Sequence, residues 1–161
     1  MTAKLLICVV CTGNICRSPM GQNILRHALA RDGLAEAVDV VSAGTSGWHV
    51  GQPADNRART ELLAHGYPDG HVAAQLGPTH VAADLILAMD SGHLRVLARK
   101  RLGGRVRLVR DFDPASDPEA DVPDPYYGTA DDFAQTRQLI EAAVPGILDW
   151  VRGQLHESVA R

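Results

Sequence analysis

The sequence has no cysteine after residue 16 and no long apolar run. Its three cysteines are Cys8, Cys11 and Cys16. A disulfide framework distributes cysteines over the whole fold, so this clustering argues against one. No apolar stretch approaches the roughly 18 residues of a membrane span, and we expect no membrane partner. The apolar run after Lys4 is short for a signal peptide, so we expect a cytoplasmic protein, although non-standard export leaves no mark in a sequence.

The sequence also lacks an excess of basic residues. Sixteen Lys and Arg against 19 Asp and Glu give a formal net charge of −3. Nucleic-acid-binding proteins present a basic field, so we expect no nucleic-acid partner, and phosphate recognition has to be local. The 161 residues, 45% of them hydrophobic, suffice for one well-buried domain. We therefore expect a single domain over residues 1–161, present as a monomer.

Short apolar runs alternate with amphipathic stretches along the chain. The apolar runs predict strands over residues 5–10, 38–42, 84–89 and 106–109. The amphipathic stretches predict helices over about 18–31, 53–63, 91–101 and from 129 onward. This alternation predicts a three-layer α/β domain with a four-stranded parallel sheet flanked by helices. We expect the strand order 2-1-3-4. Ligands of such sheets bind at the carboxyl ends of the strands.

The strongest chemical signal is residues 9–19, which read Val-Val-Cys-Thr-Gly-Asn-Ile-Cys-Arg-Ser-Pro. They predict a strand end, a tight loop and a helix with Ser18 as N-cap and Pro19 at the first helical position. The loop amides would then face a common centre at a helix N-terminus, which favours a Cys11 thiolate and binds an oxyanion above it. Arg17 would hold two oxygens of that anion. The predicted phosphate-binding residues are Thr12, Gly13, Asn14, Ile15, Cys16, Arg17 and Ser18.

The segment Val-Cys-Thr-Gly-Asn-Ile-Cys-Arg-Ser-Pro-Met resembles the signature of the low-molecular-weight protein tyrosine phosphatases, a cysteine-based family with bacterial members. The chain length and a later Asp-Pro-Tyr-Tyr at 124–127 match as well. The resemblance implies hydrolysis of phosphotyrosine monoesters through a phosphocysteine, with Cys11 as nucleophile and Arg17 as clamp on the phosphate and the transition state. It implies phosphotyrosine proteins as substrates, inorganic phosphate as product and inhibitor, and no metal or organic cofactor.

A leaving phenolate needs a proton donor, and the acidic loop at 110–128 contains several carboxyl groups. The residues alone leave these candidates open: Asp111, Asp113, Asp117, Asp121 and Asp124. The resemblance selects Asp124, which acts first as general acid and then as base. It also implies a supporting network of Asn14, Ser18, Ser42 and His71. Asparagine tolerates a positive φ better than most residues, which fits the strained loop conformation that this role requires of Asn14. From the residues alone, His71 is an ordinary surface histidine.

Few aromatic residues are present, but three of the seven fall on the loops expected beside the phosphate loop. The predicted substrate pocket comprises Thr12, Trp48, His49, Tyr126 and Tyr127. Aromatic walls would form a slot that a phosphotyrosine ring fills and a phosphoserine does not span. The related phosphoarginine phosphatases carry a smaller polar residue at the position of Ile15 and lack the paired tyrosines, so the resemblance favours phosphotyrosine.

The spacing of the cysteines separates their roles. Cys8 and Cys11 lie about 10 Å apart on opposite faces of a strand, beyond the roughly 7 Å that a disulfide allows. The loop folds Cys16 back toward Cys11, so a reversible disulfide between these two would protect the nucleophile from over-oxidation. The alternative is that Cys16 is a buried spectator.

Three other functions remain open from the sequence. An arsenate reductase on the same fold also uses C-x5-R but needs further cysteines downstream, which this chain lacks. A phosphoarginine phosphatase is the second. The third is a non-catalytic phosphopeptide-binding module, against which the presence of Cys11, Arg17 and Asp124 together argues.

Overall fold

Four parallel strands form the centre of the fold. They are β1 (Leu5–Cys11), β2 (Val38–Gly44), β3 (Leu85–Ala88) and β4 (Val106–Leu108). In the computed structural model, which describes the backbone of residues 4–160 and the side chains of residues 4–157, they lie in the order β2-β1-β3-β4. This confirms the predicted parallel sheet and its strand order.

Helices cover both faces of the sheet. They are α1 (Arg17–Arg31), α2 (Asn56–Ala64), α3 (Pro78–Val81), α4 (Ser91–Ala98) and α5 (Ala130–Ala160). Short 3-10 helices lie at Gly103–Arg105 and Val109–Phe112. Along β1 the side chains alternate: Val9 and Cys11 belong to the core beneath α1 and α5, and Cys8 belongs to the core beneath α4. Cys8 and Cys11 therefore face opposite sides of the sheet, as predicted.

Two helix starts differ from the predicted ones. Ser18 is not the N-cap of α1, because the helix begins at Arg17 and Cys16 occupies the cap position without a side-chain cap. The Ser18 hydroxyl instead lies in the site beside Cys11. Helix α2 begins at Asn56 rather than at Pro53, because the Asp55 carboxylate accepts the Arg57 N–H at 2.8 Å and caps the helix there.

Two further boundaries also differ. Helix α4 ends at Ala98, short of the predicted Arg101, because the chain tightens into i→i+3 turns and Arg101 takes a positive φ of 55°. No regular element is predicted between residues 63 and 84, but this segment pairs Gln75 with Gly44 in an isolated parallel bridge and forms the short helix α3.

The strand register brings the candidate residues to one edge. Cys11, the last residue of β1, pairs with Gly44, the last residue of β2, and Val10 pairs with Ala88 at the end of β3. The loops that leave β1, β2 and β3 therefore emerge side by side at the carboxyl edge of the sheet. Within residues 4–160, no helix is long and apolar enough to cross a membrane.

Candidate active site

The loop between β1 and α1 is built as an anion-binding cradle. Within the described part of the chain, the backbone N–H groups of residues 12–16 donate to no acceptor. These amides lie at the N-terminus of α1, where the helix dipole favours negative charge. Cys11 is almost fully buried at the start of this loop. Gly44 allows the loop to pack this closely on β2, since a Cβ there would lie 2.6 Å from the Thr12 carbonyl oxygen.

Asn14 fixes the conformation of the phosphate loop through hydrogen bonds from its side chain and its backbone carbonyl. It is fully buried and takes a left-handed φ of 57°. Its amide nitrogen donates to the hydroxyls of Ser18 at 2.7 Å and Ser42 at 3.0 Å, and its side-chain oxygen accepts from the Ala74 N–H at 2.8 Å. Its backbone carbonyl lies 2.7 Å from His71 Nε2. The predicted supporting residues are therefore brought together around one asparagine.

This network orients the Ser18 hydroxyl toward the thiol. Because Ser18 Oγ accepts the Asn14 N–H, its own hydrogen is free to point at Cys11 Sγ, 2.9 Å away. Burial lowers the pKa of His71, which keeps its ring neutral with Nε2–H donating to Asn14. Gln22, which the sequence analysis missed, accepts the Ser42 hydroxyl at 2.8 Å and completes the network.

Arg17 is buried beneath the phosphate loop and fixed from three directions. Its Nη1 donates to Asp90 at 2.7 Å and to the Val122 carbonyl at 2.9 Å, and its Nη2 lies 3.7 Å from Asp124 Oδ2. Burial alone would raise the pKa of Asp90, but the hydrogen bond from Arg17 and the neighbouring His93 lower it overall. Arg17 is thus held in one orientation before any anion arrives.

A buried histidine connects this ion pair to the phosphate loop. His93 Nδ1 lies 3.3 Å from the Asp90 N–H, and Nε2 lies 2.8 Å from the Thr12 hydroxyl. Nδ1 also lies 3.2 Å from Asp90 Oδ1, so the ring is held between Asp90 on one side and the Thr12 hydroxyl on the other. Burial lowers the pKa of His93 to about 4, so the ring is neutral near pH 7. His93 was not predicted from the sequence, although its position three residues after Asp90 fits a capping box at a strand's carboxyl end.

Asp124 and the aromatic residues enclose the space above the thiol. A cavity of about 220 Å³ is lined by Cys11, Thr12, Gly13, Ile15, Cys16, Arg17, Trp48, His49, Asp124, Tyr126 and Tyr127. Asp124 Oδ1 accepts the Tyr126 N–H at 3.1 Å, and its side chain is about half exposed at the cavity mouth. Trp48 and Tyr127 are 78% and 92% exposed, so they are free to contact a bound ring. Every residue predicted for the substrate pocket lines this cavity.

Several predicted site residues lie outside the cavity. The side chains of Asn14 and Ser18, which were predicted to bind phosphate, are completely buried behind the loop, so Asn14 offers the cradle only its backbone N–H. Ser42 and His71 do not line the cavity either. Of the other carboxylates in the acidic loop, Asp121 accepts the Ser91 N–H at 2.9 Å and does not line the cavity. Asp124 is the acidic residue of that loop that lines it.

An ion pair that the sequence analysis missed links the phosphate loop to the loop carrying Asp124. The Asp55 N–H donates to the Ile15 carbonyl at 2.8 Å, and its carboxylate binds the Arg57 guanidinium through both oxygens at 3.0 Å. Arg57 also donates to the carbonyls of Tyr126 at 2.9 Å and Gly128 at 3.3 Å. The signal in the sequence is Asp55 itself, because an aspartate just before an amphipathic stretch is a typical helix N-cap.

The three cysteines are free thiols with different surroundings. Burial raises the pKa of Cys8 to about 12, and burial together with the nearby Asp55 raises the pKa of Cys16 to about 12. Both are therefore protonated near neutral pH, whereas Cys11 has a hydroxyl partner in Ser18 and lines the same cavity as Arg17. In the described part of the chain, no group of three or more His, Cys, Asp or Glu side chains is placed to hold a metal ion.

The chain is similar to proteins of one family. The model of the low molecular weight phosphotyrosine protein phosphatases matches residues 6–160. A low molecular weight protein-tyrosine phosphatase A of Mycobacterium tuberculosis is 51% identical over 159 residues, covering 96% of both chains. A low molecular weight protein-tyrosine-phosphatase of Streptomyces coelicolor is 44% identical, covering 96% of this chain and 98% of its own. The crystal structure of a protein tyrosine phosphatase from Entamoeba histolytica superimposes with a TM-score of 0.87 at 28% identity, covering 94% of this chain and 99% of that one.

Proposed function

The chain belongs to the low molecular weight phosphotyrosine protein phosphatase family, and we propose that it hydrolyses phosphotyrosine in proteins with Cys11, Arg17 and Asp124 as its catalytic residues. The observation that carries this assignment is their convergence in one cavity. The buried thiol lies 2.9 Å from a hydroxyl donor, and the fixed guanidinium reaches both Asp90 and Asp124. The enzyme is a cysteine-based protein-tyrosine phosphatase.

In the first half of the reaction the Cys11 thiolate attacks phosphorus in line with the phenolic leaving oxygen. The S–P bond forms as the P–O bond breaks, and the carboxylic acid of Asp124 gives its proton to the departing oxygen. The unpaired amides of residues 12–16 and Arg17 bind the three equatorial oxygens, where negative charge accumulates. Because these donors are fixed in advance, little reorganisation is needed at the transition state.

In the second half a water molecule attacks the phosphocysteine. The Asp124 carboxylate accepts a proton from this water, the S–P bond breaks, and Cys11 leaves as a thiolate. The Ser18 hydroxyl, which the Asn14 network turns toward Sγ, stabilises the negative sulfur both before attack and after departure. Inorganic phosphate remains in the cradle as product, and we expect it to inhibit competitively.

The cavity walls favour a phosphorylated aromatic ring. Trp48, on the loop after β2, and Tyr127, on the loop that carries Asp124, are exposed at the mouth of the cavity. Ile15 contributes an apolar side chain to its lining. A phenyl ring can fill the space between them, while the short phosphoserine side chain leaves these surfaces in water. The apolar Ile15 gives no acceptor for the charged guanidinium of a phosphoarginine.

A direct test compares peptides that differ only in the phosphorylated residue. The protein should hydrolyse a phosphotyrosine peptide with kcat/KM at least about a hundredfold above that for the phosphoserine form. Cys11→Ser should abolish hydrolysis while retaining phosphate binding, and Cys8→Ala, at a buried thiol on the opposite face, is the matched control that keeps activity. Comparable rates on a phosphoarginine peptide, or thiol-dependent reduction of arsenate, would contradict the proposal.

A further inference from the structure

Arg57 lies between the phosphate loop, which follows Cys11, and the loop that carries Asp124. It lies in the first turn of α2, and the carboxylate of Asp55 binds its Nε and Nη2 at 3.0 Å each. The backbone of Asp55 is itself tied to the phosphate loop through the 2.8 Å bond to the Ile15 carbonyl. The guanidinium is therefore anchored to the segment that holds the nucleophile.

The other side of the same guanidinium binds the loop that carries Asp124. Nη2 donates to the Tyr126 carbonyl at 2.9 Å and Nη1 to the Gly128 carbonyl at 3.3 Å, so the bonds span this short segment. The guanidinium carbon also lies 4.6 Å from the centre of the buried Phe133 ring and 5.7 Å from that of Tyr126. These contacts leave the guanidinium little freedom to rotate.

The peptide between these contacts positions the proposed acid. Tyr126 accepts from Arg57 through its carbonyl and donates its N–H to Asp124 Oδ1 at 3.1 Å. Displacement of the Tyr126 backbone would therefore move the Asp124 carboxyl and one aromatic wall together. The Arg57 hydrogen bond lowers the pKa of Asp55, so the pair remains ionised across the pH range in which the enzyme would be assayed.

We propose that Arg57 is a positioning residue that holds Asp124 over the leaving oxygen by fixing the loop backbone at Tyr126 and Gly128. The inference rests on the proposed role of Asp124 as general acid. In the described part of the chain Arg57 donates hydrogen bonds to Asp55, Tyr126 and Gly128 and to no residue of the phosphate loop, so its loss should leave the attack of Cys11 intact. The expected defect is confined to protonation of the leaving group.

The test uses two substrates that differ in their need for an acid. Arg57→Gln should lower kcat/KM for phenyl phosphate by about tenfold or more, and for p-nitrophenyl phosphate, whose leaving group is stable without a proton, by less than about twofold. Arg57→Lys keeps the charge but cannot bind Asp55 and two carbonyls together, so it should show the same selectivity with a smaller loss. Arg59→Gln is the matched control, since Arg59 pairs with Asp69 at 3.0 Å on the same helix and should leave both substrates unaffected.

A double-variant cycle separates this inference from the proposal on which it rests. Asp124→Asn alone should show the leaving-group selectivity, and adding Arg57→Gln should cause no further selective loss. Equal losses of Arg57→Gln on both substrates, or a selective loss that persists in the Asp124→Asn background, would overturn the positioning role. If Asp124→Asn alone shows no selectivity, the acid assignment itself fails, and the positioning role fails with it.

Discussion

Replacing His93 with glutamine removes one buried titratable group from the active site, so the contribution of that group to the free energy of unfolding can be measured. The fold lowers the pKa of this histidine from 6.5 to about 4, chiefly because the ring is buried away from water. Between these two values the unfolded chain binds a proton that the folded chain does not, so the free energy of unfolding decreases as the pH falls. Between about pH 7.5 and about pH 4.5 this difference corresponds to about 2.5 kcal/mol.

Urea unfolding at those two pH values measures the effect. His93→Gln keeps an N–H near the Thr12 hydroxyl but cannot take up the proton. As the pH falls over this interval, the free energy of unfolding should decrease in both proteins, and the decrease should be about 2.5 kcal/mol smaller in His93→Gln than in the wild type. Titrating groups that do not contact His93, including His71, remain in both proteins and cancel in the comparison. Thr12→Val, which removes the hydroxyl partner and leaves the histidine, is the matched control and should retain the wild-type pH dependence. An equal decrease in wild type and His93→Gln would refute the reasoning.

Three further variants test other parts of the site. Arg17→Lys should lower kcat/KM by about a hundredfold or more, because an ammonium cannot hold Asp90 and two phosphate oxygens together; a loss under about tenfold in steady-state assays would contradict this. Asn14→Ala should decrease the free energy of unfolding in urea by about 3 kcal/mol, because it removes three side-chain hydrogen bonds and places alanine at φ 57°; an unchanged midpoint would count against the network. Cys16→Ala should make inactivation by hydrogen peroxide largely irreversible by dithiothreitol, since no neighbouring thiol remains to form a disulfide with Cys11; full recovery in this variant would exclude the protective role.

The elements that could be predicted from the sequence are those specified by local pattern. The short apolar runs predicted all four strands, and the alternation with helices predicted that the strands are parallel. The phosphate loop could be recognised because its chemistry lies within a few residues of Cys11. The Asn14 network came from the family resemblance, since His71 and Ser42 carry no local signal of their own.

The contacts that escaped prediction join residues far apart in sequence. His93 reaches Thr12 across 81 positions, and Arg57 reaches Tyr126 across 69. Such partners are brought together by strand order and loop packing, which a local pattern does not specify. The predicted starts of α1 and α2 were wrong because local pattern does not show which side chain caps a helix. The Ser18 hydroxyl contacts the Cys11 thiol instead of capping α1, and α2 is capped by Asp55 rather than beginning at Pro53.

The measurement that tests the central claim most directly is acid-quenched rapid mixing with a phosphorus-labelled aryl phosphate, in reductant and without added metal. The account predicts a burst of phenolate near one equivalent per enzyme, with the label attached covalently to Cys11 and absent from Cys11→Ser. Steady turnover with no trapped label, or a label on another residue, would contradict the covalent cysteine mechanism.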